Sequence, residues 1–156
     1  MSILTRVFPV NANNDYRGSP IAFWVLCLFG GLFTFRSLIH YFKADGGANS
    51  IASIVTFPGT PDPDAVIYLV FSLWGGVQIL LTLFVFLVLW RYRTLIPLMF
   101  LVIAADMLLR IGASTLHPLT PDFYEHRPPG GVMNVPLLVL AFTMFFLSLR
   151  ESKNSA

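Results

Sequence analysis

Four ionisable residues lie inside long apolar runs, where their side chains are expensive to bury. Asp106 and Arg110 are one helical turn apart in one run, and Arg36 and His40 are one turn apart in another. Counted at about 1.5 Å per helical residue, all four fall in one half of a bilayer. Gln78 and Asn134 lie at or beyond mid-membrane on the same side. A charged side chain at the centre of a spanning helix costs roughly 2.5–3.5 kcal/mol, so it faces the bundle interior, finds a partner or marks a pathway.

Two arrangements satisfy that constraint. In the first, Asp106 pairs with Arg110 at i, i+4, Arg36 snorkels and His40 caps an interface. In the second, the cluster lines a polar cavity open to the outside. There Arg36 or Arg110 holds an anionic or carbonyl group, and Asp106 or His40 accepts or shuttles a proton. Arg36, His40, Gln78, Asp106 and Arg110 are therefore the candidate ligand-binding residues. Helix geometry sets one condition: Arg36 projects more than about 90° away from the stripe Cys27, Gly30 and Thr34, so both are not expected to face one neighbour.

Other chemistries find less support. His117, Asp122, Glu125 and His126 are metal-binding residue types, but their irregular spacing in a Pro-rich loop matches no zinc pattern, and no metal site is expected. Asp62 and Asp64 lack the further oxygen ligands a calcium site needs, and Asp64 is placed to cap a helix. Cys27 is the only cysteine, which excludes CxxC redox chemistry and with it membrane thiol oxidases. The segment Asp45-Gly46-Gly47-Ala48-Asn49-Ser50 reads as a turn, because Gly and Asn supply the positive φ of a reversal. It has no Walker lysine and no strand-to-helix context.

The elements that position these residues are membrane spans. Hydrophobic residues make up 56% of the 156 residues and charged ones 12%, too much apolar surface for a soluble fold to hide. Four stretches approach the roughly 20 apolar residues that a span requires. The spans predicted are residues 20–42, opened by Ser19-Pro20 as cap and first helical residue, 65–90, 94–114 and 134–149. The fold class is all-α, a polytopic four-helix transmembrane bundle. Residues 1–18 form a loosely ordered or surface-lying arm, residues 115–131 an extramembrane loop, and 150–156 a charged tail. The first span has no small-x-small cleavage site after it and is read as retained. Arg91-Tyr92-Arg93-Thr94 is so short a connector that the second and third spans should be antiparallel neighbours.

Arginine and lysine set the orientation. Arg6, Arg17, Arg91, Arg93, Arg150 and Lys153 share one side, against Lys43 and Arg127 plus Arg36 and Arg110 if those reach outward. This favours both termini in the cytoplasm and both long loops outside. No basic run is dense enough for nucleic acid. The expected partners are membrane lipid and, beyond it, another membrane protein or a second copy of the chain.

Small residues mark the seams of such bundles. Gly30-Gly31 and Gly75-Gly76 are expected near mid-membrane, where the first two spans should cross closely. Asn134, Ala141 and Ser148 repeat every seven residues, as a bundle-facing stripe would. Trp24, Trp90, Tyr41, Tyr68 and Tyr92 lie near span ends, where amphipathic rings anchor helices.

Arg36-x-x-x-His40-Tyr41-Phe42 followed by Asp45-Gly46-Gly47 and Ile51-Ala52, with Trp74-Gly75, Gln78, Arg91-Tyr92-Arg93 and Arg110, resembles small, mostly uncharacterised bacterial inner-membrane proteins of the DoxX-like four-helix type. The resemblance spans most of residues 20–149. It implies a four-helix membrane fold and carries over no catalytic residue and no cofactor. The Glu-, Arg- and Asn-rich helix of membrane glutathione enzymes is absent.

Three functions follow. The first is a non-enzymatic accessory subunit, or a binder of a lipid or hydrophobic small molecule, acting through the outer polar cluster. The second is an enzyme acting on a lipid or quinone-like substrate, with Asp106 or His40 as acid/base. The third is a transporter or channel component, for which no polar residue continues inward beyond Thr82.

Overall fold

The computed structural model describes residues 2–151 and is all-α among them. A short helix α1 (Ile3–Val7) precedes four long ones: α2 (Pro20–Phe42), α3 (Asp64–Arg91), α4 (Ile96–Leu116) and α5 (Pro129–Ser148). All four are long and apolar enough to cross a membrane, and the chain is a membrane-integral four-helix bundle. The charged tail from Ser152 onward, including Lys153, lies outside the described residues.

Alternating steps of three and four residues bury one stripe of α2, composed of Ala22, Leu26, Phe29, Gly30, Phe33, Ser37 and His40. Its apolar part meets Val85, Val88 and Leu89 of α3, Ile96, Phe100, Ile103 and Met107 of α4, and Ala141 and Phe145 of α5. These residues fill the half of the bundle nearer the chain termini, called here the terminal end. The opposite, loop end has few apolar core residues, and there the polar side chains gather. Ala141 and Ser148 of the expected stripe on α5 are buried, with Asn134 half-buried.

Several expectations are corrected. The helices pack chiefly as two pairs, α2 with α3 and α4 with α5, while α3 and α4 touch at only a few positions. The connector, Tyr92 and a 3-10 turn at Arg93–Leu95, fixes two helix ends but not the lie of the helices, and α4 finds its main surface on α5. The glycine pairs do not meet each other. Gly30 faces Val85 and Phe86, whereas Gly75 lies against the backbone of His40 and Tyr41, about ten residues or 15 Å along the helix. Helix α5 starts earlier than expected, at Pro129, so Pro136 sits inside it and withholds one backbone hydrogen bond.

The arm is ordered and straps the terminal end. Val7 is buried in the core. Thr94 and Asn13 exchange backbone and side-chain hydrogen bonds at 3.0 Å. Asn14 donates to the Trp90 carbonyl at 3.1 Å and accepts from the Arg93 N–H at 3.4 Å, so it serves the end of α3 and the start of the next turn together. Arg6 donates to the Leu149 carbonyl and pairs with Glu151. Burial pushes the Tyr16 phenol above its ordinary range, and its hydroxyl donates to the Ser19 carbonyl at 3.2 Å.

The loops are zipped as well. Ile54 and Tyr124 form an antiparallel bridge, with Val55 donating to Phe123 at 3.1 Å and Glu125 to Ser53 at 2.8 Å. The expected loop at 115–131 is thus narrowed to the residues between Leu116 and Pro129 and tied to the loop before α3. Asp64 does not cap α3: the N-cap is Pro63, Asp64 is the first helical residue, its N–H donates to the Asp62 carboxylate at 2.9 Å, and its own carboxylate accepts from the Phe57 N–H.

Candidate functional site

Arg36 leaves α2 six residues before its loop end and donates through Nη2 to the Gln78 side-chain amide oxygen Oε1 on α3. It therefore reaches the same neighbour as Gly30. The six-residue separation does turn Arg36 well away from Gly30, but a long side chain spans the angle that separates their Cα atoms. The Arg36 Nε is buried and has no hydrogen-bond partner among the described residues. Nor does any carboxylate pair with Arg36 among them.

One turn toward the terminal end from Arg110, Asp106 takes its guanidinium as a fork, from Nε at 2.8 Å and Nη2 at 3.2 Å. The pair keeps some exposure, 13% for the Arg110 side chain and 22% for Asp106. Between the pair and Arg36 stands Trp74 of α3. The Arg110 Cζ lies 4.6 Å and the Arg36 Cζ 5.6 Å from its ring, both within cation–π range. The His40 ring lies 4.6 Å from it, centroid to centroid. Arg36 also lies 5.2 Å from the Phe33 ring.

All five sequence candidates thus converge, and Trp74 is the residue that joins them. Trp74 is not among the five candidates. The available signal was its spacing, because Trp74 precedes Gln78 by one turn and shares its face.

His40 has a different task from the rest. Its Nδ1 lies 2.7 Å from the Gly46 carbonyl oxygen, and the turn after α2 folds back over the ring. Gly46 and Gly47 take φ of +57° and +74°, and a Cβ on Gly47 would stand 2.7 Å from that same Nδ1. Only glycine meets both the backbone and the space requirement. Asp45 closes the turn by accepting from Gly47 at 3.0 Å and Ser50 at 2.8 Å.

Four hydroxyl groups in the spans are occupied locally. Thr34 donates to the Gly30 carbonyl, Ser37 to Thr34, Thr82 to Gln78 and Ser148 to Phe145. His117, Asp122, Glu125 and His126 are exposed, and no three potential metal ligands lie together among the described residues. A cavity of about 740 Å³ lies at the terminal end under the arm, lined by Arg6, Asn13, Tyr16, Arg17 and Glu151 among others. None of the five candidates lines it.

No family model matches the chain, and neither a curated protein nor a solved structure is similar to it.

Proposed function

We propose that this protein is a membrane-embedded binder of a lipid or other hydrophobic small molecule, whose anionic or carbonyl head is received by Arg36 in the outer half of the bundle. The observation that carries this reading is the state of Arg36: half-buried within a span, bonded to a neutral amide, and left with a buried Nε that has no partner among the described residues. A guanidinium offers five N–H donors and keeps its charge in any surroundings, so an oxygen-bearing head is its natural complement. Arg110 is already satisfied by Asp106 and Trp74 and serves as the wall of the site.

Acid/base chemistry has less support. Asp106 is held in a fork by Arg110, and His40 is engaged with the Gly46 carbonyl. A through-pathway has less still, given the locally occupied hydroxyls. The reading includes a bacterial inner-membrane location, with termini inside and zipped loops outside, and the likeness to DoxX-like proteins.

The test is copurification. Protein extracted in mild detergent should carry a hydrophobic compound with an acidic or carbonyl group, detectable by mass spectrometry and lost in Arg36→Gln. An identical extract from both proteins would end the proposal. A reporter fused after residue 156 checks the orientation, and activity on the outer side would reverse it.

A further inference from the structure

We propose that the head received by Arg36 is the oxyanion of an amphiphile dissolved in the bilayer, and that it reaches the cluster sideways, through the seam between α3 and α4. This rests on the reading of Arg36 as the receiving residue and adds the charge of the ligand and its route.

Charge comes first. Two guanidiniums, Arg36 and Arg110, share one carboxylate, Asp106, which is committed to Arg110. Gln78 contributes no charge, and His40 commits its Nδ1 to Gly46. The excess is positive and lies within a span, where an uncompensated charge is costly. A carboxylate or phosphate oxygen supplies both the missing charge and acceptors for guanidinium N–H groups, which a neutral carbonyl does only in part.

The route follows from what is covered and what is not. At the loop end, the turn after α2 lies on the cluster's outer side. Gly46 is pressed against the Tyr68 carbonyl and Phe71, Gly47 against the His40 ring, and the Ile54–Tyr124 bridge ties this loop to the next. Sideways the packing differs. α2 packs along α3 and α4 along α5, but α3 and α4 touch little. The Trp74–Arg110 contact crosses that sparse seam, and the Asp106 and Arg110 side chains retain exposure although they lie well inside α4. A seam between two spans opens to hydrocarbon, so the compound using it must be soluble there.

Trp74 makes the proposal measurable. With Trp24→Phe and Trp90→Phe it becomes the only tryptophan of the three in the chain. In lipid nanodiscs at about pH 8.5, where a carboxylic acid is ionised, a brominated long-chain fatty acid should quench Trp74 saturably. The corresponding brominated alcohol should need at least tenfold higher concentration, and Arg36→Gln should remove the preference for the acid. The acid-to-alcohol comparison uses protein with Arg36 intact, so it decides even where the variant misfolds. Bromoacetate, which carries the same oxyanion in water, should not quench. Saturable, Arg36-dependent quenching by bromoacetate at matching concentration overturns the bilayer route and leaves Arg36 as an oxyanion receptor. Equal quenching by acid and alcohol overturns both that role and this inference.

Discussion

Arg36 and Gln78 join α2 to α3 by a hydrogen bond in which the charged partner keeps an Nε with no partner among the described residues and the neutral one supplies no counter-charge. The arrangement is poor as a structural fastener. Replacing a buried charge with a hydrophobic residue of similar size is often neutral or stabilising, whereas stripping a charge of its partner costs about 3–5 kcal/mol. The two arginines of the cluster therefore respond oppositely to nearby substitutions.

Arg36→Met should leave the unfolding free energy within about 1 kcal/mol of the parent, or raise it, while abolishing ligand copurification. Thermal unfolding in detergent, read beside the bound-compound assay, checks both halves. A loss of several kcal/mol with the compound still bound would make Arg36 a packing residue.

Asp106→Ala should be destabilising by about 3 kcal/mol, because Arg110 then has no carboxylate in a low-dielectric setting. The double variant Asp106→Ala with Arg110→Met should recover much of that loss. Additive losses in the two single variants would contradict the pairing.

Glycines divide by what faces them. Gly75→Ala places a Cβ 2.7 Å from the Tyr41 backbone nitrogen and 2.8 Å from the His40 carbonyl carbon, where no side chain can swing aside. About 1–3 kcal/mol should be lost through overpacking. Gly31→Ala and Gly112→Ala meet open space and should gain up to about 1 kcal/mol from helix propensity. Matched unfolding curves for the three variants decide the point.

Acid should open the turn over His40. Partial burial raises the Asp45 carboxyl, but hydrogen bonds from Ser50 and Gly47 and the nearby Lys43 outweigh it and hold the group below the ordinary carboxylate range. A lowered folded value means that the contribution is complete above about pH 4, the unfolded value, and disappears as pH falls through the folded one. Protection of the Gly47 and Ser50 amides, taken relative to their intrinsic exchange at each pH, should hold to about pH 4 and fall below it, and Asp45→Asn should weaken that dependence on pH.

Asn14→Ala removes one acceptor and one donor at the terminal end and should cost about 1 kcal/mol. Limited proteolysis of the arm should accelerate accordingly. An unchanged cleavage rate would show that Val7 and Arg6 hold the strap without it.

The spans and the five polar residues were legible in the sequence because both depend on the same rule, the cost of polar groups in hydrocarbon. The site's organiser was not. Trp74 looks like any lipid-facing aromatic until Arg110, a residue of another span, is brought 4.6 Å from its ring. Asn13 and Asn14 suggested a loose arm, since the same residue types serve free turns and helix caps. Only the position of Trp90 and Thr94 beside them distinguishes the two uses. The close packing of α2 on α3 was legible from their small residues, but that of α4 on α5 was not: the short connector constrains neighbouring ends, while the choice of α5 over α3 as the partner of α4 is made by side chains far apart in sequence.

The strap at the terminal end ties residue 6 to residues 149 and 151. A ribosome supplies those partners almost a full chain length apart, so the latch cannot close until the fourth span has been made and set in place. Its closure is a seal on completed assembly. A chain halted after three spans would hold its arm only by the Asn13 and Asn14 bonds to residues 90–94, with Arg6 still waiting for its partners.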